Sequence, residues 1–95
     1  MTDLRFTPAA IADLDGIWDY TARTWSPDQA DEYVDQIHGA CVGLASGDRV
    51  SQTSDIRQGY RKARVSAHMI WFREREGVIE IVRILHARMD VDRHL

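Results

Sequence analysis

The residues best equipped for chemistry lie close together near the C-terminal end, in the run Arg83-Ile84-Leu85-His86-Ala87-Arg88-Met89-Asp90. Alternation along a strand puts Arg83 on one face with Ile79, Ile81 and Leu85, the face expected to be buried. A guanidinium there requires a carboxylate or several carbonyls. Arg83 is therefore either half of an internal ion pair or a functional cation opening to the end of the sheet. His86 comes next, where an imidazole can act as acid or base near neutral pH, or serve structure alone. His86 and Asp90 stand four residues apart but at a strand end, and His38, His68, His86 and His94 lack metal-ligand spacing. No metal site is expected.

A second basic series, Arg57, Arg61, Lys62 and Arg64, precedes these residues. On a strand, Lys62 and Arg64 share a face with Tyr60, while Arg61 points the other way. Such a set can bind phosphates, with Tyr60 stacking a base. It can equally protect an exposed strand edge from aggregation. Cys41 reads as a small buried hydrophobe rather than a nucleophile. As the single cysteine it excludes an internal disulfide and suits a reducing compartment. The six glycines form neither a GxGxxG nor a GxxxxGK[ST] pattern, so no nucleotide-binding loop and no cofactor are expected.

The elements that must position these groups follow from spacing and caps. Leu4 to Thr7 alternates as a short strand. Thr7 caps and Pro8 starts a helix of about 18 residues, with Ile11, Leu14, Trp18, Ala22 and Trp25 on its apolar face and Asp13, Asp15 and Asp19 elsewhere. Ser26 and Pro27 repeat the start signal, and Asp28 favours the N-terminal dipole. Ala30, Val34, Ile37, Cys41 and Leu44 then mark a second helix that stops at Gly47. So short a joint predicts an antiparallel helical hairpin. Trp18, Trp25 and Tyr33 belong to the core or its rim, where aromatic side chains also anchor partners. Ser46 to Gln58 is expected to be a loop. Three strands follow: Tyr60 to Val65, His68 to Arg75, and Val78 to Leu85 after a turn at Glu76-Gly77. The expectation is an α+β fold of order β-α-α-β-β-β, an N-terminal strand and an antiparallel helical hairpin packed on an antiparallel sheet. Residues 1–95 are expected to form a single domain.

The 95 residues carry a net charge of −3, unevenly distributed. Residues 1–56 sum to −7 and residues 57–95 to +4. Either the basic half meets something acidic, or the halves neutralise each other within the fold. No apolar stretch at the N-terminus has the length of a signal peptide, and no window approaches a membrane span, which predicts a cytoplasmic protein with no membrane contact.

Several segments together resemble ParE toxins of the RelE/ParE superfamily. The opening carries Phe6-Thr7-Pro8-Ala9-Ala10, Asp13-Leu14 and Ile17-Trp18-Asp19-Tyr20-Thr21, then Trp25 and Gln29-Ala30-Asp31-Glu32-Tyr33. Gly59-Tyr60-Arg61-Lys62 and His68-Met69-Ile70-Trp71-Phe72-Arg73 continue it, and Arg83 to Asp90 with His94-Leu95 is its most specific part. Ser26 stands where the family often has glycine, and the loop at Ser46-Gly47-Asp48-Arg49-Val50 lacks a common proline.

The resemblance implies the toxin of a bacterial type II toxin–antitoxin module, with DNA gyrase as target and a ParD-like antitoxin as partner in a hetero-oligomer. It implies Arg83, His86, Arg88, Met89 and Asp90 in toxicity. For antitoxin binding, periodicity and charge suggest a segment lying along an apolar groove between hairpin and sheet, with Trp18, Trp25 and Tyr33 on its rim and acidic side chains reaching the basic strand at Tyr60, Arg61, Lys62 and Arg64. The RelE branch cuts mRNA on the ribosome, and Arg61, Arg64, Arg83 and His86 would have to serve there. The chain is acidic overall and has no Lys/Glu/Tyr constellation of the RNA-cutting members. A protein-binding poison without direct nucleic-acid contact is the reading preferred over catalysis. An antitoxin-binding remnant without toxicity is a further alternative.

Overall fold

Two helix starts are written into the chain as hydroxyl-proline pairs, and both form. The Thr7 hydroxyl accepts from the Ala10 amide at 3.0 Å, opening α1 (Pro8–Thr24). Ser26 accepts from the Gln29 amide at 3.1 Å, opening α2 (Pro27–Ser46). Each cap satisfies an amide that the first helical turn would otherwise leave unpaired. Gly47, at φ +84°, ends α2 in the left-handed region that glycine enters without a Cβ penalty. Trp18 donates its indole N–H to Asp31 at 2.8 Å, tying the antiparallel helices together across their joint. The computed structural model describes residues 3–54, 56–89 and 91–95.

The strands are β1 (Asp3–Phe6), β2 (Gln52–Thr53), β3 (Tyr60–Val65), β4 (His68–Arg75) and β5 (Val78–His86). They form one sheet in the order β1-β5-β4-β3-β2. β2 lies inside the segment expected to be loop. The sheet is mixed rather than antiparallel throughout, because β1 runs parallel to β5. Turns dictate the antiparallel sense of β3, β4 and β5, whereas β1 reaches β5 only after the chain has crossed over both helices.

Both helices cover one face of the sheet. Ile37, Cys41 and Leu44 of α2 meet Val65, Ile70, Phe72, Ile79, Ile81 and Ile84 from the strands. α1 contributes less than its apolar spacing suggests: Ile11 is 50% and Trp25 70% exposed. This helix packs over β5 and β1, at the margin of the sheet, so the ends of its stripe overhang the strands. Trp25 is thus outside the core, while Trp18 and Tyr33 are half-buried.

A β-bulge changes the phase of β5. Phe72 pairs with Ile81 and Trp71 with Arg83, leaving Val82 as the extra residue. Ile79, Ile81 and Ile84 consequently face the helices, and Arg83 and Leu85 share the opposite face with Trp71 and Met69. The expected alignment of Arg83 and Leu85 with Ile79 and Ile81 is therefore corrected: strict alternation fails where one residue is inserted.

Candidate functional site

Past Ile81, β5 has lost its neighbour on the β1 side, because the chain turns into α1 after Phe6. Side chains and backbone from that turn replace the missing strand. The Thr7 amide donates to the Ile81 carbonyl at 3.0 Å, and the Thr7 hydroxyl donates to the Val82 carbonyl at 2.7 Å. One turn along α1, the Asp13 carboxylate accepts from the Ile84 amide at 2.9 Å. The same carboxylate accepts from Arg83 Nε at 2.7 Å and Nη2 at 2.8 Å, a two-pronged ion pair. Arg83 Nη1 donates to the His94 carbonyl at 3.0 Å. Of the two roles open to Arg83, the structure shows the internal ion pair, with carbonyl support. Hydrogen bonding to Asp13 raises its pKa further above the ordinary arginine value, against the opposing effect of burial.

At the far end of the same hairpin, His68 opens β4 directly opposite His86, the last residue of β5. Their rings meet edge to face with centroids 5.4 Å apart. The Tyr33 hydroxyl, from α2, lies 2.6 Å from His68 Nδ1 and 3.4 Å from the Val65 carbonyl. Burial and then the neighbouring His86 lower the pKa of His68, with Asp13 acting weakly the other way. His86 is exposed, and its Nδ1 accepts from the Arg88 amide at 3.2 Å.

These groups line a groove of about 620 Å³ between α1 and the end of β5, walled by Ala12, Gly16, Ile17 and Tyr20 on one side and Ile84 to His86, Arg88 and Met89 on the other. A second hollow of about 480 Å³ shares Tyr20, Thr21, His68 and His86 with it and runs past Trp25 and Tyr33. The two form an open trough with mostly apolar walls and a histidine pair on the floor. Tyr20, 63% exposed, stands between them.

Of the residues assigned from sequence, Arg83, His86, Arg88 and Met89 line the first hollow, and Trp25 and Tyr33 the second. Asp90 lies outside the described residues. Trp18 lines neither hollow. Tyr60, Lys62 and Arg64 lie on the sheet face away from the helices, so the structure does not bring them to the trough. Tyr60 is flanked by the Arg57 and Arg73 guanidiniums, each 5.8 Å from its ring centroid, and Lys62 sits 5.7 Å from the Trp71 ring. Arg61, on the other face, is held by the Ser51 hydroxyl at 2.8 Å. Arg64 Nε donates to the Ser66 carbonyl at 2.8 Å.

Asp13, Tyr20 and His68 were not singled out by their spacing. Asp13 sits off the apolar stripe of α1 and reads as solvated surface. Only its approach to the bulge of β5 makes it the acceptor for three donors. His68 could have been found by pairing the ends of the two hairpin strands, which places it against His86. Cys41 is fully buried, and burial pushes its thiol pKa up to about 12. Among the described residues no group of three or more His, Cys, Asp or Glu side chains could hold a metal ion, and no helix is long and apolar enough to cross a membrane.

Known proteins share this architecture and much of the sequence. Residues 4–91 match the family model described as the ParE toxin of the type II toxin–antitoxin system parDE. Toxin ParE1 of Mycobacterium tuberculosis is 44% identical over 91 residues, which are 94% of this chain and 93% of that protein. Toxin ParE1 of Caulobacter vibrioides is 33% identical over 97 residues, spanning 100% of this chain and 99% of that one. A chain from the chromosomal ParDE toxin–antitoxin system of P. aeruginosa superposes with a TM-score of 0.80 at 27% identity, covering 90% of this chain and 96% of that chain. With a family model spanning β1 to the C-terminal 3-10 turn (Val91–Arg93), relatives matched along nearly their whole length, and the same helical hairpin on a mixed sheet, this chain belongs to the ParE toxin family of type II toxin–antitoxin systems.

Proposed function

We propose that this toxin, one domain over residues 1–95, acts in the cytoplasm by binding DNA gyrase rather than by catalysis, and that a ParD-like antitoxin neutralises it. The observation that carries the binding mode is the disposition of the three arginines an mRNA-cutting reaction would need. Arg83 is committed to Asp13 and the His94 carbonyl. Arg61 and Arg64 point to opposite faces of β3 and are held by Ser51 and Ser66. Stabilising a pentacoordinate phosphorus requires cationic donors that converge on one point. The turn His86-Ala87-Arg88-Met89 near the C-terminal end is largely exposed, with Met89 50% exposed, a surface suited to docking on a protein.

For the antitoxin, the trough offers apolar walls for the buried side of an amphipathic segment. Antitoxin partnership is also supported by the P. aeruginosa match, which comes from a ParDE system. The test is supercoiling of relaxed plasmid by purified gyrase with increasing toxin. Inhibition that added antitoxin relieves is expected. Normal supercoiling at large toxin excess would overturn the gyrase assignment. Primer extension on mRNA from induced cells is the companion measurement, and new ends within translated codons would move the chain to the RNA-cutting branch.

A further inference from the structure

Tyr33 contacts His68, and His68 contacts His86, at the floor of the trough. The geometry is that of a proton acceptor satisfied in both charge states. With His68 neutral, the Tyr33 hydroxyl donates to Nδ1 across 2.6 Å. That leaves the ring proton on Nε2 rather than on Nδ1. With His68 protonated, Nδ1–H donates to the Tyr33 oxygen, and the phenolic proton turns to the Val65 carbonyl at 3.4 Å. Neither state strands a polar group. His86 is arranged in the same sense: its Nδ1 accepts from the Arg88 amide, so its proton is on Nε2.

The charged and titratable surroundings come from every element packed around the pair. α1 presents Asp13 and Tyr20, α2 presents Tyr33 and Glu32, and the β5 end presents Arg83 and Arg88. Asp13 is engaged by Arg83 and the Ile84 amide, which leaves little of its charge for the imidazoles. The floor thus offers imidazole N–H donors, beside an exposed Arg88 guanidinium, while the walls of the first hollow are largely apolar and Gln29, Glu32 and Gln36 line the second. An amphipathic segment with a carboxylate on its buried side complements both features.

We propose that the His68–His86 pair is a carboxylate seat for an acidic side chain of the docked antitoxin, and that docking draws a proton onto the pair. This rests on the antitoxin-binding reading of the trough. In the free protein, burial and the mutual proximity of the two rings keep His68 neutral. A carboxylate placed against Nε2–H reverses that balance and favours imidazolium. Affinity then rises as pH falls through the histidine range, until the carboxylates of the antitoxin themselves protonate.

The test is titration calorimetry of the toxin with its ParD-like antitoxin, at pH 5.5 to 8.0 and in two buffers of different ionisation enthalpy. Net proton uptake and an affinity about tenfold tighter at pH 6 than at pH 7.5 are expected, the order set by less than one proton over that interval. His68→Gln and His86→Gln together keep N–H donors but cannot titrate, and the pH dependence should vanish in that variant. NMR titration of the wild-type imidazoles, free and bound, gives the same answer without substitution: the His68 pKa should rise on complex formation. A tight complex with flat affinity, no proton uptake and an unmoved His68 pKa would overturn the carboxylate seat and leave antitoxin binding intact. Absence of a complex at every pH would overturn both.

Discussion

Asp13 shows how much one side chain can organise. Its carboxylate closes the end of β5 where β1 is missing and neutralises Arg83, with side-chain exposures of 13% and 23% for Asp13 and Arg83. Removing one partner leaves a half-buried charge and an unanswered amide, a loss usually larger than the net value of the pair. Asp13→Ala is expected to destabilise the fold by about 2–3 kcal/mol, read from urea unfolding. Replacing the pair together, Asp13→Leu with Arg83→Met, should cost less than Asp13→Ala alone; a larger loss in the double variant would show that the ion pair itself provides net stabilisation. Cys41 yields a simpler expectation. A thiol fully buried with its pKa at about 12 has almost no thiolate at pH 8, so Ellman's reagent should label it only on unfolding. Prompt labelling of the native protein would contradict that.

At the scale of elements, the local joints carry the strain. Glu76 at φ +53° and Gly77 at φ +78° form the β4–β5 turn with both central residues in the left-handed region, the twist-matched geometry for a two-residue hairpin. A Cβ at Gly77 would meet nothing within 4 Å, so a substitution there is penalised by the backbone alone. Gly77→Ala should lower stability by about 1–2 kcal/mol, and Gly77→Asn by less, since Asn tolerates this region. Equal losses in the denaturation midpoints would refute the backbone account. Thr7 joins two elements through one hydroxyl, capping α1 and holding the bulged Val82 carbonyl. Thr7→Ser keeps both bonds, whereas Thr7→Val removes both and is expected to cost about 2 kcal/mol. Similar stabilities for the two variants would show that the methyl group, not the hydroxyl, matters at this position.

For the molecule as a whole, pH becomes a stability variable through His68. Its folded pKa lies below the ordinary histidine value because the neutral ring is preferred in the fold. The associated stability is present above the unfolded pKa of about 6.5 and is lost as pH falls toward the folded pKa. The melting temperature of the free toxin should therefore fall as pH drops below about 6.5, and His68→Gln should remove part of that slope. A slope unchanged by the substitution would assign it to other groups. The antitoxin complex is expected to behave oppositely in the same pH range. The segregated charge of the chain is bridged by the Arg83–Asp13 pair, while Arg73–Glu80 at 2.7 Å lies within the basic half.

Sequence alone determined the parts governed by near neighbours. Hydroxyl-proline pairs started both helices, Gly47 ended the second, and Glu76-Gly77 set the hairpin register, because caps and turns depend on residues two to four apart. The family was legible for a related reason, since short runs such as Arg83 to Asp90 survive in the linear order. Tertiary structure decided what depends on long-range pairing. The parallel sense of β1 had no turn to announce it, and the bulge at Val82 broke the alternation on which the placement of Arg83 relied. Asp13 reaches Arg83 across 70 positions, and Tyr33 reaches His68 across 35. The trough, with its histidine floor, exists only where the helical hairpin closes over the end of β4 and β5. No periodicity records that closure, because its residues come from segments that meet only after the sheet has formed.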